Sequence, residues 1–294
     1  MERVRLTIAL LVLCLASTTG CLFRSHRVEP RRSPVPLKSA TREELVAKID
    51  QLAASVRTMS ATVDIDTTVG GEKKGKVTEY QQIRGYILVQ KPSMLRMIGL
   101  LPIVRNRAFD MVSNGDQFQL SIPPKNRIIV GSNQLTKISE NPLENLRPQV
   151  IYEALLMPEI DVDDEVAVLE QGTQDVVDEK THTSLKQPNY HIVVIRRGVQ
   201  NSWYLYRKIY FNRADLLPYR QTIYDDKGAI ATDVTYSGLQ QYSGVQFPSL
   251  IEIERPQEEY DITLKMVRLT LNEPLKPEQF QLEMPPGATV TQLK

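Results

Sequence analysis

Cysteine is almost missing from this chain: two in 294 residues, Cys14 and Cys21. Beyond residue 21 there is no thiol, so neither a disulfide framework nor a cysteine nucleophile is available there. Histidine is as scarce. His26, His182 and His191 stand far apart and lack the spacing of metal ligands. No Gly-x-Ser-x-Gly elbow occurs. Charge of one sign is lacking too, since 36 basic and 35 acidic residues leave a net +1. Nothing in that balance favours nucleic acid or a polyanionic substrate. The expectation is a protein without catalytic residues, metal or nucleic-acid partner.

Two stretches come near a motif and fail it. "GGEKKGKV", 70 to 77, has Gly70, Gly75 and Lys76 at phosphate-loop spacing, but Val77 stands where the metal-binding hydroxyl belongs. A phosphate loop must also open a helix, and here "VTEYQQIRGYILVQ" reads as strand, so a hairpin loop is expected. "DVDDEV", 161 to 166, lacks the glycine and distant glutamate of a calcium loop and reads as a solvated acidic turn.

A long apolar run is also lacking. The longest spans Leu6 to Ala16 behind Arg3 and Arg5. It is shorter than the ~20 residues of a membrane-spanning helix and fits the core of a secretory signal. "LASTTGC", 15 to 21, closes it. The stretch resembles a bacterial lipoprotein lipobox, with small Thr19 and Gly20 before Cys21, although Thr18 stands where leucine is usual. Residues 1–20 are read as a signal peptide and Cys21 as the site of a diacylglycerol or acyl lipid, with plain secretion as the rival. Acylation would also occupy the one remaining thiol, which is otherwise awkward in an oxidising compartment. Residues 21–40 then form a tether. Pro30, Pro34 and Pro36 keep it extended, and Arg24, Arg27, Arg31, Arg32 and Lys38 suit either anionic headgroups or plain solvation.

Over the whole chain 41% of residues are hydrophobic, enough for a real core in 41–294. Thr41 with Glu44 has capping-box spacing. Leu45, Ile49, Leu52, Val56 and Met59 recur at helical steps, predicting a helix that ends near Ser60. A second helix is predicted within 141–158, its main part opened by Pro148 and stopped by Pro158. The remainder reads as roughly ten antiparallel strands. "YDITLKM" puts Tyr260, Ile262, Leu264 and Met266 on one face. "WYLYRKIYF" is apolar on both faces, with Trp203, Leu205, Ile209 and Phe211 on one and Tyr204, Tyr206 and Tyr210 on the other. Turns are expected at Asn114-Gly115, Lys227-Gly228, Ser237-Gly238 and Ser243-Gly244. A sheet apolar on both faces must be covered twice. Two helices over one concave face leave either a lipid cavity or a fully packed core, and patterning does not choose between them.

"KPSMLRMIGLLPIVRNRAFDMVSNGDQFQLSIPPKN", 91 to 126, resembles the LolA/LolB-type lipoprotein carrier family. The resemblance lies in Lys91-Pro92, Leu95-Arg96, Ser113-Asn114-Gly115, Phe118 and Pro123-Pro124, taken in order. The tail "FQLEMPPGATVTQL", with Phe280, Pro285, Pro286 and Gly287, resembles the closing strand of that family. The resemblance implies a mainly β fold with α (α+β): an unclosed antiparallel β-barrel capped by helices, one domain over 41–294, holding acyl chains in a hydrophobic cavity. By strand position, the cavity walls are expected at Tyr86, Leu88, Leu95, Phe109, Met111 and Phe118, the opposite face of each strand being the alternative. Met97, Ile98, Leu100, Leu101 and Ile103, broken by Gly99 and Pro102, are expected as a protruding membrane-contact loop, or else as a buried strand end. The implied function is an envelope lipoprotein anchored in the outer membrane, facing the periplasm, that receives or inserts lipoproteins. Leu22, in place of aspartate after the lipidated cysteine, favours that membrane under the family's sorting rule. Its partners would be membrane lipid, lipoprotein cargo and a periplasmic carrier protein. No cofactor is implied beyond the lipid on Cys21, with an acyl chain as cargo. Carriage of other lipids or glycolipids, and a role as envelope sensor or scaffold, are the alternatives.

Overall fold

The computed structural model describes residues 35–73, 75–133, 147–177, 182–283 and 285–293. The expected signal, Cys21 and most of the tether lie outside the described residues. The described residues divide into two compact units, a larger one within 35–174 and 188–293 and a smaller one of 175–177 and 182–187. In the smaller unit the described residues form two strand tips, where Lys186 Nζ lies 3.1 Å from Asp175 Oδ1. No helix among the described residues is long and apolar enough to cross a membrane.

In the larger unit, helix α1 (Arg42–Ser55) opens with the expected capping box. The Glu44 amide donates to Thr41 Oγ1 at 3.2 Å, and the Thr41 amide donates to Glu44 Oε2 at 2.8 Å. Leu45, Ile49 and Ala53 face the core. The helix stops at Ser55, with Val56 already extended. Met59 belongs instead to strand β1 (Thr58–Gly71), paired with Leu271. Val56 and Met59 are both buried, so they prolong the helical stripe in sequence. Met59, however, opens an alternating series with Ala61, Val63 and Ile65 that suits a strand.

Strand β2 (Lys76–Glu79) pairs antiparallel with the end of β1, Gly71 opposite Lys76, the hairpin expected for the failed phosphate loop. Next comes a meander: β3 (Ile83–Gln90), β4 (Met94–Leu100), β5 (Arg107–Ser113), β6 (Gln117–Ile122) and β7 (Arg127–Ser132). Helix α2 (Pro148–Leu155) begins at its proline as expected. The second meander runs β8 (Glu165–Val177), β9 (Ser184–Arg197), β10 (Trp203–Asn212), β11 (Pro218–Tyr224), β12 (Ile230–Tyr242), β13 (Val245–Arg255) and β14 (Tyr260–Leu271), and β15 (Thr289–Gln292) closes the chain.

These are fifteen strands in one sheet rather than roughly ten, in the order β15-β7-β6-β5-β4-β3-β1-β14-β13-β12-β11-β10-β9-β8, with β2 beside β1. Strand β15 pairs parallel with β7, and the pairs from β1 to β7 and from β9 to β14 are antiparallel. The end strands β15 and β8 do not pair, so the sheet stays open. The fold is mainly β with helices on one face, an unclosed, mostly antiparallel barrel capped by helices, as expected from the sequence. The face that the helices cover is the inner one.

Two details depart from the sequence expectation. A register shift between Leu205 and Arg207 inserts Tyr206 as an extra residue in β10. It turns Trp203 and Leu205 to the outer face, while Ile209 and Phe211 remain inner, so the four do not share a side. Ser237-Gly238 is no turn. Gly238 lies inside β12 at φ 62°, pressed against the Ser249 side chain of β13.

Candidate functional site

Two inner cores form. In one, α1 and Ile160 fill the space over β9 and β10, burying Ile192, Val194, Ile209 and Phe211 completely. In the other, α2 lies over β3–β6, β13 and β14, and a space is left. The end of α2 is held by the sheet: Gln221 Nε2 donates to the Glu153 carbonyl at 3.2 Å and Tyr236 Oη to the Ala154 carbonyl at 3.0 Å. These bonds satisfy carbonyls that a helix C-terminus leaves open. Tyr152 Oη donates to the Pro92 carbonyl at 2.6 Å, tying the helix to the β3–β4 turn.

The space is an apolar cavity of about 210 Å³. Ile65, Thr67 and Val69 of β1 wall it on one side, and Phe109, Leu120 and Ile122 of β5 and β6 on the other. Ile83 and Met97 lie between them, Ile151 of α2 closes it, and Tyr260 and Ile262 of β14 complete the wall. Its origin is local. Gly85 and Gly99 oppose each other across β3 and β4. A Cβ on Gly99 would stand 2.3 Å from the Phe109 ring, and one on Gly85 2.6 Å from Ile65 Cδ1. Neighbouring side chains therefore lie directly on the backbone, and the wall is thin where others are filled.

The antiparallel register places one end of every wall strand together. Leu100 pairs with Arg107, Arg84 with Leu100, Ile65 with Ile83, and Val69 with Tyr260. At this end the residue Lys125, exposed in the turn after β6, joins the lining. It is the one charged residue among those that line the cavity. The buried hydroxyl of Tyr260 lies beside the Arg255 guanidinium and has no acceptor for its proton among the described residues. Burial pushes its pKa up to about 12, the nearby Arg255 guanidinium only partly opposing, so it stays a neutral donor.

From the same end projects the β4–β5 loop. The Leu101 amide donates to the Asn106 carbonyl at 2.7 Å, and between them Ile103 is 98% and Val104 62% exposed. Ile103 has φ 68° and Arg105 φ 53°. A β-branched residue in the left-handed region is strained by roughly 1–2 kcal/mol. Such strain is held where surrounding structure imposes it, and it clusters at functional segments. Arg105, exposed beside the apolar tip, makes no ion pair or hydrogen bond among the described residues through its side chain.

The residues expected from sequence divide between these features. Phe109 lines the cavity, and Leu95, Met111 and Phe118 are buried in the core around it. Tyr86 and Leu88 take the opposite face, because Ile87 and Val89 are the inward residues of β3. Tyr86 is 44% exposed and borders a shallow outer groove with Leu100, Leu101 and Ile103. The protruding loop is shorter than expected. Met97, Ile98 and Leu100 belong to β4, since pairing with β3 runs through Gly99 as far as Arg84↔Leu100, and only Pro102 ends it. Met97 is buried and lines the cavity instead. Leu101 begins the loop and Ile103 is its tip. Phe109 alone of the lining is expected from the sequence as cavity wall; among those missed, Ala108, Lys125, Ile151 and Tyr260 come from four separate elements.

A family model described only as "-like: Uncharacterized protein" matches residues 162–284, less than half of the chain. No curated protein matches the sequence. Among solved structures, a DUF1329 family protein from Desulfovibrio piger is similar at TM-score 0.50 and 15% identity, over 82% of this chain and 95% of that one. A LolA superfamily protein from Nitrosomonas europaea is similar at TM-score 0.49 and 14% identity, over 83% of this chain and 99% of that one. Likeness at such identity concerns the fold.

Proposed function

We propose that this protein binds acyl chains in the β1–β6 cavity and exchanges them with a membrane touched by the 101–106 loop, without catalysing a reaction. One observation carries this: an apolar cavity opens at the end of the sheet from which a strained, exposed apolar loop projects. An acyl chain that passes from bilayer to cavity avoids water, worth about 0.8 kcal/mol per CH₂. Ile103 and Val104 at the tip suit the acyl boundary of a bilayer, and Arg105 beside them suits anionic headgroups.

The resemblance adds a finer reading: a lipoprotein anchored through Cys21 in the outer membrane, which takes acylated cargo from a periplasmic carrier. The cavity volume favours a second reading, carriage of a smaller lipid, because ligand pockets for larger molecules usually exceed about 300 Å³.

The test is sedimentation with vesicles containing anionic lipid. To keep a covalent lipid from dominating binding, the full chain carries Cys21→Ser. Ile103→Asp should abolish co-sedimentation without lowering the unfolding midpoint, since the side chain is almost wholly exposed and Asp tolerates the left-handed backbone better than Ile. Undiminished co-sedimentation of that variant would exclude the loop as the membrane contact.

A further inference from the structure

We propose that the cavity takes a single acyl chain whose anionic head, a fatty-acid carboxylate, is held at the mouth between Lys125 and Tyr260. This rests on the acyl-binding reading and adds to it the number of chains and the chemistry of the head.

Volume decides the number. An apolar cavity of about 150 Å³ admits one benzene molecule. At about 210 Å³ this one admits the end of a single chain, with the rest lying along the mouth, and has no room for two or three chains together. The lining decides where polarity can sit. Apart from Thr67, Lys125 and Tyr260, every lining residue is apolar, and none is acidic. Lys125 and Tyr260 come from the turn after β6 and the start of β14, which the register brings to the same end of the sheet.

The two groups share one chemistry. Lys125 makes no ion pair or hydrogen bond through its side chain among the described residues, so its ammonium is free to meet a ligand. The Tyr260 hydroxyl is buried beside the Arg255 guanidinium, and no described residue accepts its proton, a state that an incoming acceptor would relieve. Both donate. An ionised carboxylate only accepts, and its two oxygens can serve both donors at once. A choline or amine head would instead bring a cation against Lys125 with no acidic residue in the lining to receive it.

The experiment is calorimetric titration of the full Cys21→Ser chain with dodecanoic acid, with dodecanol, and with a short-chain diacyl phosphatidylcholine, each below its aggregation concentration. The acid should bind at least about tenfold tighter than the alcohol, a difference of about 1.4 kcal/mol. Lys125→Gln, at an exposed position, should bring the acid close to the affinity of the alcohol and weaken the alcohol far less. Equal affinity of the unaltered chain for acid and alcohol would overturn the head assignment and leave acyl binding standing. Tighter one-to-one binding of the diacyl lipid than of the acid would overturn the single-chain assignment. Binding of none of the three by a chain shown folded by circular dichroism would overturn this proposal together with the reading beneath it.

Discussion

Over β9 and β10 the inner face is filled by α1, and Ile192, Val194, Ile209 and Phe211 are sealed from solvent. Over β3 to β6 the same sheet places two glycines opposite each other and leaves a cavity under α2. The packed region also buries charge. Arg207 is wholly enclosed, donating to the carbonyls of Pro158 and Glu159 at 2.9 Å each, with Glu165 Oε2 3.8 Å away. Its burial pulls its pKa down, and the Glu165 charge works against that pull. Among its described lining residues the cavity has no such network, only Lys125 at the mouth and one tyrosine hydroxyl without an acceptor. One sheet thus supplies a rigid frame at one place and ligand space at another. The frame is where stability should be concentrated.

The largest effects should come from cutting equal side chains out of both regions. Phe211→Ala should cost about 3–5 kcal/mol, as a fully packed aromatic does. Arg207→Ala should cost a similar amount, because the Pro158 and Glu159 carbonyls lose their donor and the buried Glu165 carboxylate, still bonded by Arg196, loses a nearby counter-charge. Phe109→Ala, beside existing space, should cost only about 1–2 kcal/mol, since fewer contacts are lost. Urea unfolding of the three variants decides it. Equal losses at Phe211 and Phe109 would mean that the cavity is packed in solution.

A smaller effect concerns the outer face of the packed region. His191 is buried against Gly172, with Nδ1 3.1 Å from Glu170 Oε2, and it faces Lys208, Tyr210 and Asn189. Burial holds its pKa below the ordinary 6.5, the Glu170 carboxylate opposing and the Lys208 ammonium adding to the shift. The unfolded chain therefore takes up the proton first. Stability should be full above about pH 6.5 and fall as pH drops from there towards the lower folded value. Glu170, held low by hydrogen bonds from Lys208 and His191, is too exposed to add much. Midpoints of urea unfolding at pH 7.5 and pH 5.5 should differ more for the native chain than for His191→Gln. Equal differences would free His191 from this role.

Much of the frame is legible in the sequence. The Thr41–Glu44 capping box, the Pro148 start and the alternation from Tyr260 to Met266 each depend on neighbours close in the chain. Sequence patterning misleads where register or distant pairing decides. In β3 both faces are apolar, so only the β1 pairing distinguishes Ile87 and Val89 from Tyr86 and Leu88. Gly99 has the look of a loop residue, yet it sits inside β4 because Phe109 needs its missing side chain. The bulge at Tyr206 reverses the faces of β10 midway. Lys125 and Tyr260 come to one end of the cavity only through the order of the strands, and no local signal joins them.

The cavity itself is tested most directly by what it retains. The full Cys21→Ser chain, purified without detergent from cells that make lipid, would be measured by native mass spectrometry and then extracted with organic solvent. Beside it would run Ala108→Trp, which places a bulky ring in the lining. The expected result is a bound species with one acyl chain per protein that is released on extraction, and its loss from the variant. A clean unliganded mass for the native chain, persisting after incubation with fatty acid, would contradict acyl binding in this cavity.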